Sequence, residues 1–225
     1  MKKKFLKYSS NETNIWEAEN IFYLLSKVNR LIQVINLYEI YKKISNLEGD
    51  ILECGVFKGS SLIKLMTFRK ILGEEKKRAI YGFDVFGKFP EPKLKGDKKF
   101  LKNWENKVEK ILSLEELNYH LKKKNFKNFK LIKGNIINTI PKFLTRKKNL
   151  KISLLHLDMD IYEGTSFALN KLFSRVVKNG IIVIDDYKTV HGATKAVDEF
   201  LKKNPKCTIK KVKNYKKPSI IIKKF

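Results

Sequence analysis

The chain has 225 residues and a formal net charge of +26, from 49 Lys and Arg against 23 Asp and Glu. Its hydrophobic content of 43% is ordinary for a globular domain, which argues against disorder, and the absence of any long apolar run excludes a membrane-spanning helix. Cys54 and Cys207 match neither a disulfide framework nor a zinc spacing, and no signal peptide follows Met1, so we expect a cytoplasmic protein.

The first helical pattern runs from Ile15 to Ser45 and belongs to an N-terminal arm, residues 1–48. Apolar residues recur on one face of this helix at the helical period, namely Ile21, Leu24, Leu25, Val28, Leu31, Ile32 and Ile35. We expect this stripe to pack in the core. Contact with a second copy of the chain, which would make a homo-oligomer, is the alternative.

A strand, a turn with two glycines and a helix follow the arm. The strand spans Asp50 to Gly55, and the helix starts after Val56-Phe57-Lys58-Gly59-Ser60-Ser61. Gly55 permits a tight turn, while Gly59 lets a ligand approach the backbone. A glycine-bearing turn before a helix N-terminus is typical of nucleotide binding, although this common pattern is a weak signal by itself.

The second strand, Ala79 to Asp84, ends in an acid that can accept hydrogen bonds from ribose hydroxyls. A turn or helix-capping role for Asp84 is the alternative. A basic insertion of residues 93–127 follows, and its pattern predicts two helices, the second with Ser113 and Glu116 at capping-box spacing. Because the insertion is longer than an ordinary connection, we expect it to form a lid or a wall of the substrate site.

After a third strand, Phe129 to Asn135, two further apolar runs end abruptly in acids. Leu154 to Leu157 precedes Asp158, and Ile181 to Ile184 precedes Asp185-Asp186. The segment between them, Tyr162 to Asn179, has the length of a crossover helix, so the two strands should be parallel neighbours. Their acids then converge at one sheet edge, where carboxylates favour Mg²⁺. Simple capping and turn roles are the alternative.

The last elements are a loop with His191, a helix from Ala193 to Lys202 and a pair of strands, Cys207 to Ile209 and Ser219 to Ile222, joined through Asn214 to Pro218. Residues 49–225 therefore alternate strands and helices, which predicts one α/β domain with the insertion at about 93–127.

Together these motifs resemble the macrocin and mycinamicin O-methyltransferases, a family of class I S-adenosylmethionine-dependent methyltransferases. The resemblance rests on Leu52 to Ser61, Gly82 to Phe86, Lys133-Gly134 with Thr139-Ile140-Pro141, Leu157 to Thr165, and Ile184 to Tyr187. It implies a Rossmann-like, doubly wound, seven-stranded sheet, mostly parallel with an antiparallel last strand. It also implies Mg²⁺-dependent methylation of a sugar hydroxyl.

The resemblance also implies roles for individual residues. Asp84 would hold the ribose of S-adenosylmethionine. The remaining cofactor-binding residues would be Glu53, Gly55, Val56, Phe57, Gly59, Ser60, Ser61, Gly134 and Asn135. Asp158, Asp185 and Asp186 would bind the metal. Asp158 would also be the general base, with His191 as a weaker catalytic candidate.

We expect the acceptor to be a sugar hydroxyl of a nucleotide sugar, a glycan or a glycolipid precursor. Methylation of RNA or of a catechol-type acceptor, and a non-catalytic binding role, are the alternatives. The net charge would suit RNA, but the lysines are scattered from Lys2 to Lys224, and a nucleic-acid footprint is normally clustered. Lysine enrichment of the whole composition explains this charge better, so we do not expect a nucleic-acid partner.

Overall fold

The computed structural model describes residues 14–108, 111–212 and 218–225, which form eight α-helices and one seven-stranded sheet. The strands are β1 Asp50–Cys54, β2 Ile80–Asp84, β3 Phe129–Lys133, β4 Ile152–Leu157, β5 Val176–Ile184, β6 Ile209–Lys211 and β7 Ser219–Ile222. The helices are α1 Ile15–Leu25, α2 Val28–Ile44, α3 Ser60–Ile71, α4 Lys95–Glu105, α5 Leu114–Lys123, α6 Ile136–Arg146, α7 Tyr162–Leu172 and α8 His191–Lys203.

The strand order is β3-β2-β1-β4-β5-β7-β6. Strands β1 to β5 pair in parallel, and β7, the last strand of the chain, runs antiparallel to both β5 and β6. The predicted seven-stranded sheet with an antiparallel last strand is therefore confirmed. The predicted connection between the last two strands lies mostly outside the described residues.

The central strands are buried on both faces, because helices cover the sheet on each side. Ile51 contributes to a core that includes residues of α2, α3 and α5, whereas its neighbour Leu52 contributes to a core formed with α6, α7 and α8. Alternate strand residues point to opposite faces, so each apolar run supplies both cores. This arrangement confirms the doubly wound architecture.

The N-terminal arm differs from its prediction. It forms two helices, because the chain leaves the helical conformation at Ser26 and Lys27. Only the second half of α2 packs in the core, through Leu37, Ile40, Tyr41 and Ile44. The apolar stripe expected in the core is instead largely exposed, with Leu24 at 81% and Val28 at 73%. The core-packing prediction for this stripe was wrong.

The insertion forms the two predicted helices, α4 and α5. Ser113 caps α5 by accepting a hydrogen bond from the Glu116 amide at 3.1 Å, as its spacing indicated. Leu117 and Leu121 attach α5 to the core. None of the helices in the described part of the chain is long and apolar enough to cross a membrane.

The amino ends of the strands surround a buried network of opposite charges, here called the amino-edge network: Arg78, Glu74, Tyr41 and Arg69. The Arg78 guanidinium lies 3.0 Å from the Glu74 carboxylate and donates to Ser153 Oγ and to the carbonyls of Ile44, Ser45 and Leu47. The Tyr41 hydroxyl donates to Glu74 at 2.8 Å, and burial together with this bond raises the Tyr41 pKa. Arg69 donates to the carbonyls of Arg78 and Asn128.

Candidate active site

The predicted acids meet at the carboxyl edge of the sheet. Leu157 and Ile184 are paired in the parallel β4–β5 ladder, which brings the residues that follow them together. One carboxylate oxygen each from Asp158, Asp160 and Asp186 lies within 4.8 Å of the others. Asp185 lines the same cleft. The sequence analysis gave no role to Asp160, although its position two residues after Asp158 was a usable signal.

The backbone of Asp160 explains why it joins the cluster. Its φ of 58° is left-handed, a conformation that Asp tolerates better than most residues. The chain therefore turns sharply between the end of β4 and the start of α7 at Tyr162. A short loop of this kind keeps two acids of one segment close to the acid that follows β5.

The acids concentrate negative charge in this cleft. Burial raises the pKa of Asp158 well above its usual value, and the neighbouring Asp185, Asp186 and Asp160 raise it further. Burial and the charge of Arg30 lower the pKa of nearby Lys64, and the charges of Glu53, Asp185 and Asp158 offset this lowering only in part. Three carboxylates that repel one another around a common point fit a divalent cation such as Mg²⁺, which prefers oxygen ligands.

Gly55 holds the end of β1 against these acids. Its φ is +90°, and a Cβ at this position would lie 1.8 Å from the carbonyl oxygen of Asp158, so only glycine fits. Gly55 and Phe57 line the cleft. Gly59 is the N-cap of α3 with a φ of +80°, and a Cβ at this position would lie 2.8 Å from Leu117 of the insertion.

Asp84 organises the turn that contains Gly55. Its Oδ2 accepts hydrogen bonds from the amides of Val56 and Phe57, both at 2.8 Å, and its Oδ1 accepts one from Phe86 at 2.7 Å. A carboxylate has about four lone-pair sites, so one acceptor site stays available for a ligand hydroxyl. Asp84 lines the cleft, which is compatible with a ribose contact. The turn role that was the alternative for Asp84 is therefore present together with its position in the cleft.

Glu53 and the two serines lie beneath and beside this turn. Glu53 is fully buried and accepts a hydrogen bond from the Ser61 hydroxyl, while Ser60 Oγ accepts one from Lys64 at 3.1 Å. His156 Nδ1 lies 3.3 Å from Glu53 Oε1. Burial lowers the His156 pKa, but the hydrogen bond and charge of Glu53 outweigh it, so the pKa is raised. Glu53 therefore connects the end of β1 to the first turn of α3 and to β4.

Of the remaining predicted residues, Asn135 lines the cleft, whereas Gly134 and His191 are not among the described residues that line it. Asn135 lines the cleft and caps α6 by accepting a hydrogen bond from the Ile137 amide at 3.0 Å. Gly134 donates to the Asp84 carbonyl at 2.8 Å. His191 is the exposed first residue of α8 and packs near Gly96; it is not among the described residues that line the cleft.

An aromatic cluster, which the sequence analysis missed, forms one wall of the cleft. The Trp104 ring packs edge-on against Phe57 and Phe89, with centroid distances of 5.2 and 5.1 Å. Trp104 lies on α4, so the insertion does contribute a wall. We call these three residues the aromatic wall. The cleft is thus acidic on one side and apolar on the other, an arrangement common to ligand-binding pockets.

Comparison with known proteins gives a consistent picture. A family model described as macrocin O-methyltransferase matches residues 25–214. Demethyldecarbamoylnovobiocin O-methyltransferase of Streptomyces niveus is 29% identical over 165 residues, which are 69% of this chain and 59% of that protein. 8-Demethyl-8-(2,3-dimethoxy-alpha-L-rhamnosyl)-tetracenomycin-C 4'-O-methyltransferase of Streptomyces olivaceus is 27% identical over 152 residues, 62% of this chain and 53% of that protein. The chain therefore spans less than two thirds of either relative.

Solved structures share the fold. The O-methyltransferase NovP has a TM-score of 0.74 at 21% identity, with 86% of this chain and 80% of NovP covered. CalS11, a calicheamicin methyltransferase, has a TM-score of 0.72 at 20% identity, with 97% and 88% covered. At these identities the similarity establishes a Rossmann-like fold of the methyltransferase type.

Proposed function

The chain belongs to the macrocin O-methyltransferase family, and we propose that it transfers a methyl group from S-adenosylmethionine to a sugar hydroxyl with the help of Mg²⁺. The observation that carries this proposal is the cluster of Asp158, Asp160 and Asp186 facing the Gly55 turn across one cleft. A protein that only bound a ligand would gain nothing from clustered acids, which cost free energy unless they are neutralised.

The residues of the cleft divide into two groups by chemistry. Bound S-adenosylmethionine would supply an electrophilic methyl group, and bound Mg²⁺ would orient the acceptor hydroxyl and favour loss of its proton. The Gly55 turn and Asp84 would hold the cofactor. Asp158, Asp160 and Asp186 would hold the metal, with Asp185 beside them. Asp158 is our candidate for the group that accepts the proton of the hydroxyl.

The aromatic wall has a separate role in this proposal. Trp104, Phe57 and Phe89 would cover the apolar face of a sugar ring and exclude water from the acceptor hydroxyl. Exclusion of water strengthens the electrostatic interactions inside the cleft and prevents competing hydrolysis. Because Trp104 belongs to α4, this proposal makes the insertion a determinant of acceptor choice.

A sugar acceptor is supported by the relatives as well as by the site. The name of the tetracenomycin relative contains a rhamnosyl group, and CalS11 is described in one structure as a TDP-rhamnose 3'-O-methyltransferase. We propose an anionic acceptor, such as a sugar on a diphosphate carrier, because the basic insertion of residues 93–127 contributes Trp104 to the wall of the cleft. Raised salt should then slow the reaction mainly by weakening acceptor binding.

The test is an acceptor panel with labelled S-adenosylmethionine. Nucleotide sugars, acidic glycans, glycolipid precursors, catechol and RNA are incubated with the protein in Mg²⁺, in chelator, and in chelator with Mg²⁺ restored. We expect label in a sugar, loss of activity in chelator and recovery with Mg²⁺. Efficient labelling of catechol or RNA with none in any sugar would contradict the acceptor. Full activity in chelator would contradict the metal.

We also propose that α1 contacts a second copy of the chain. None of its residues, all of which are described, is buried, and Trp16, Leu24 and Leu25 are 70%, 81% and 74% exposed. Glu17 and Glu19 make this helix acidic in a strongly basic chain, so it complements the basic body of another copy. Light scattering should show a dimer or larger species that Leu24→Ser with Leu25→Ser dissociates. A monomeric wild-type protein would contradict this.

The proposed location is the cytoplasm. Cys54 and Cys207 are free and buried, which suits a reducing compartment, although free buried thiols also occur elsewhere. Cell fractionation with a tagged chain tests the location directly, and recovery of the protein in the soluble cytoplasmic fraction is the expected result.

A further inference from the structure

Asp97, in the first turn of α4, is a fully buried carboxylate with no part in the chemistry proposed above. Burying a carboxylate costs free energy unless hydrogen bonds and favourable charges compensate it. The contacts of Asp97 therefore indicate its role.

Asp97 contacts the first turns of two other helices, α7 and α8. Its Oδ2 accepts a hydrogen bond from the amide of Tyr162, the first residue of α7, at 2.8 Å. The same carboxylate lies against Gly192 in the first turn of α8, where a Cβ would meet Oδ2 at 2.1 Å and Oδ1 at 2.4 Å. Glycine at position 192 is what allows the carboxylate to approach α8 so closely.

Both helices need a partner of this kind. Their N-cap residues, Ile161 and Val190, have apolar side chains that cannot accept a hydrogen bond from the first-turn amides. The N-terminus of a helix also carries a partial positive charge, which favours a nearby carboxylate. Asp97, on a third helix, thus caps α7 through the Tyr162 amide and places its negative charge against the N-terminus of α8.

The two capped helices are the direct continuations of the two acid-bearing loops. Asp160 precedes the first residue of α7 by two positions, and the loop that starts at Asp186 ends at the first turn of α8. A group bonded to the start of α7 and packed on the start of α8 therefore fixes the far ends of both loops relative to each other.

We propose that Asp97 is a positioning residue that holds the two acid-bearing loops at the separation at which Asp158, Asp160 and Asp186 bind one divalent cation. This inference rests on the metal dependence proposed above. It also gives the insertion a second task, because Asp97 and Trp104 are seven residues apart on α4 and so share one face of the helix. The same helix would set the metal site and the aromatic wall together.

The test measures metal binding directly, without substrate or turnover. Mn²⁺ binding to wild-type protein and to Asp97→Ala is followed by electron paramagnetic resonance, and S-adenosylmethionine affinity by calorimetry. Loss of a residue that orients metal ligands typically weakens metal binding about 10- to 100-fold. We expect a loss in this range for Asp97→Ala, with cofactor affinity within about twofold of wild type. Asp97→Asn keeps an acceptor for the Tyr162 amide and should recover part of the Mn²⁺ affinity.

Gly192→Ala provides a second variant at the same contact. Its methyl group would displace the Asp97 carboxylate, so alone it should also weaken Mn²⁺ binding. In the Asp97→Ala background, the methyl group meets no carboxylate and should add little further loss. This non-additivity is the expected signature of two residues in direct contact.

Asp50→Ala is the matched control. Asp50 also accepts a backbone hydrogen bond, from the Ala79 amide at 2.7 Å, but it lies at the amino edge of the sheet. It should lower the melting temperature and leave Mn²⁺ affinity unchanged. Wild-type Mn²⁺ affinity in Asp97→Ala, with only a lower melting temperature, would overturn the inference. Failure of the wild-type protein to bind Mn²⁺ would overturn it together with the metal proposal.

Discussion

At the amino edge of the sheet, the Arg78 guanidinium lies 3.0 Å from the Glu74 carboxylate, and both groups are buried. At the carboxyl edge, one carboxylate oxygen each from Asp158, Asp160 and Asp186 lies within 4.8 Å of the others, and burial together with the neighbouring acids raises the Asp158 pKa. One edge neutralises its charges within the chain. The other gathers acidic side chains around one point of the cleft.

The two edges differ in what neutralises their charges. At the amino edge it is a partner within the chain, and at the carboxyl edge, in our proposal, it is a bound cation. Arg78 donates to Ser153 and to three backbone carbonyls and forms an ion pair with Glu74, so its charge is balanced within the chain. In our proposal, the repulsion among the clustered acids would be relieved when a cation binds. We therefore expect substitutions at the two edges to change different measured quantities.

The largest effect should come from the carboxyl edge. Asp158→Asn and Asp186→Asn should each lower turnover about 10²- to 10⁴-fold, because they remove a proposed metal ligand and, at Asp158, the proposed base. The melting temperature should stay the same or rise, since each change relieves repulsion. Initial rates with the acceptor found in the panel and thermal unfolding provide the two readings.

Asp198→Asn is the control for these two variants. Asp198 is an exposed acid on α8 that accepts a hydrogen bond from the Tyr187 hydroxyl at 2.9 Å, outside the cleft. It should keep turnover near that of wild type. A large loss of stability in Asp158→Asn or Asp186→Asn, at unchanged turnover, would contradict the assignment of the carboxyl edge to function and of the amino edge to stability.

The next effect should come from the amino edge and should concern stability. Arg78→Met keeps the aliphatic part of the side chain but removes the buried cation that pairs with Glu74, which keeps only the Tyr41 hydroxyl and the half-exposed Lys77. Loss of a buried partner typically costs about 3–5 kcal/mol. Denaturant unfolding should show this loss. The protein that remains folded should keep wild-type affinity for S-adenosylmethionine and Mn²⁺, and weakened ligand binding in the folded fraction would contradict the separation of roles.

The sequence predicted the carboxyl edge better than the amino edge, for a physical reason. An apolar run that ends in Asp reports both a buried strand and the position of its last residue, so Asp158, Asp185 and Asp186 could be brought together from local pattern alone. Arg78 lies in a charged segment before β2 and gives no such signal. Glu74 is only four residues away, but the partners Ser153 and Ile44 are identified only when β4 and the end of α2 are placed beside the start of β2.

Long-range contacts explain the other differences. Asp97 acts on Tyr162, 65 residues away, and Trp104 reaches Phe57 through the packing of α4, so neither role is visible in a local pattern. The break at Ser26 and Lys27 escaped detection because the apolar period continues through it. Periodicity predicted that the stripe was apolar, but burial depended on which part of α2 meets the sheet.

An intermediate effect should come from Gly55, which joins the strand end to the acids. Gly55→Ala imposes an unfavourable backbone conformation, worth about 1–3 kcal/mol, and places a methyl group against the Asp158 carbonyl. Both the free energy of unfolding and the cofactor affinity should fall. By contrast, Asp158→Asn and Asp186→Asn should chiefly lower turnover, and Arg78→Met should chiefly lower stability. Calorimetry with S-adenosylmethionine and denaturant unfolding test this, and Gly73→Ala, whose Cβ would meet nothing within 4 Å, controls for a positive φ without the contact.

The smallest effect should come from an exposed ion pair at the amino edge. Lys151 Nζ lies 2.6 Å from Glu48 Oε1, but the two side chains are 56% and 68% exposed, so water screens their attraction. Glu48→Gln should therefore change the free energy of unfolding by less than about 0.5 kcal/mol and should leave turnover unchanged. The pair lies close to the start of β1 and β4, as the amino-edge network does. The pair differs from that network chiefly in its exposure to water. If Glu48→Gln cost as much as Arg78→Met, position at the edge rather than burial would decide how charge contributes to stability.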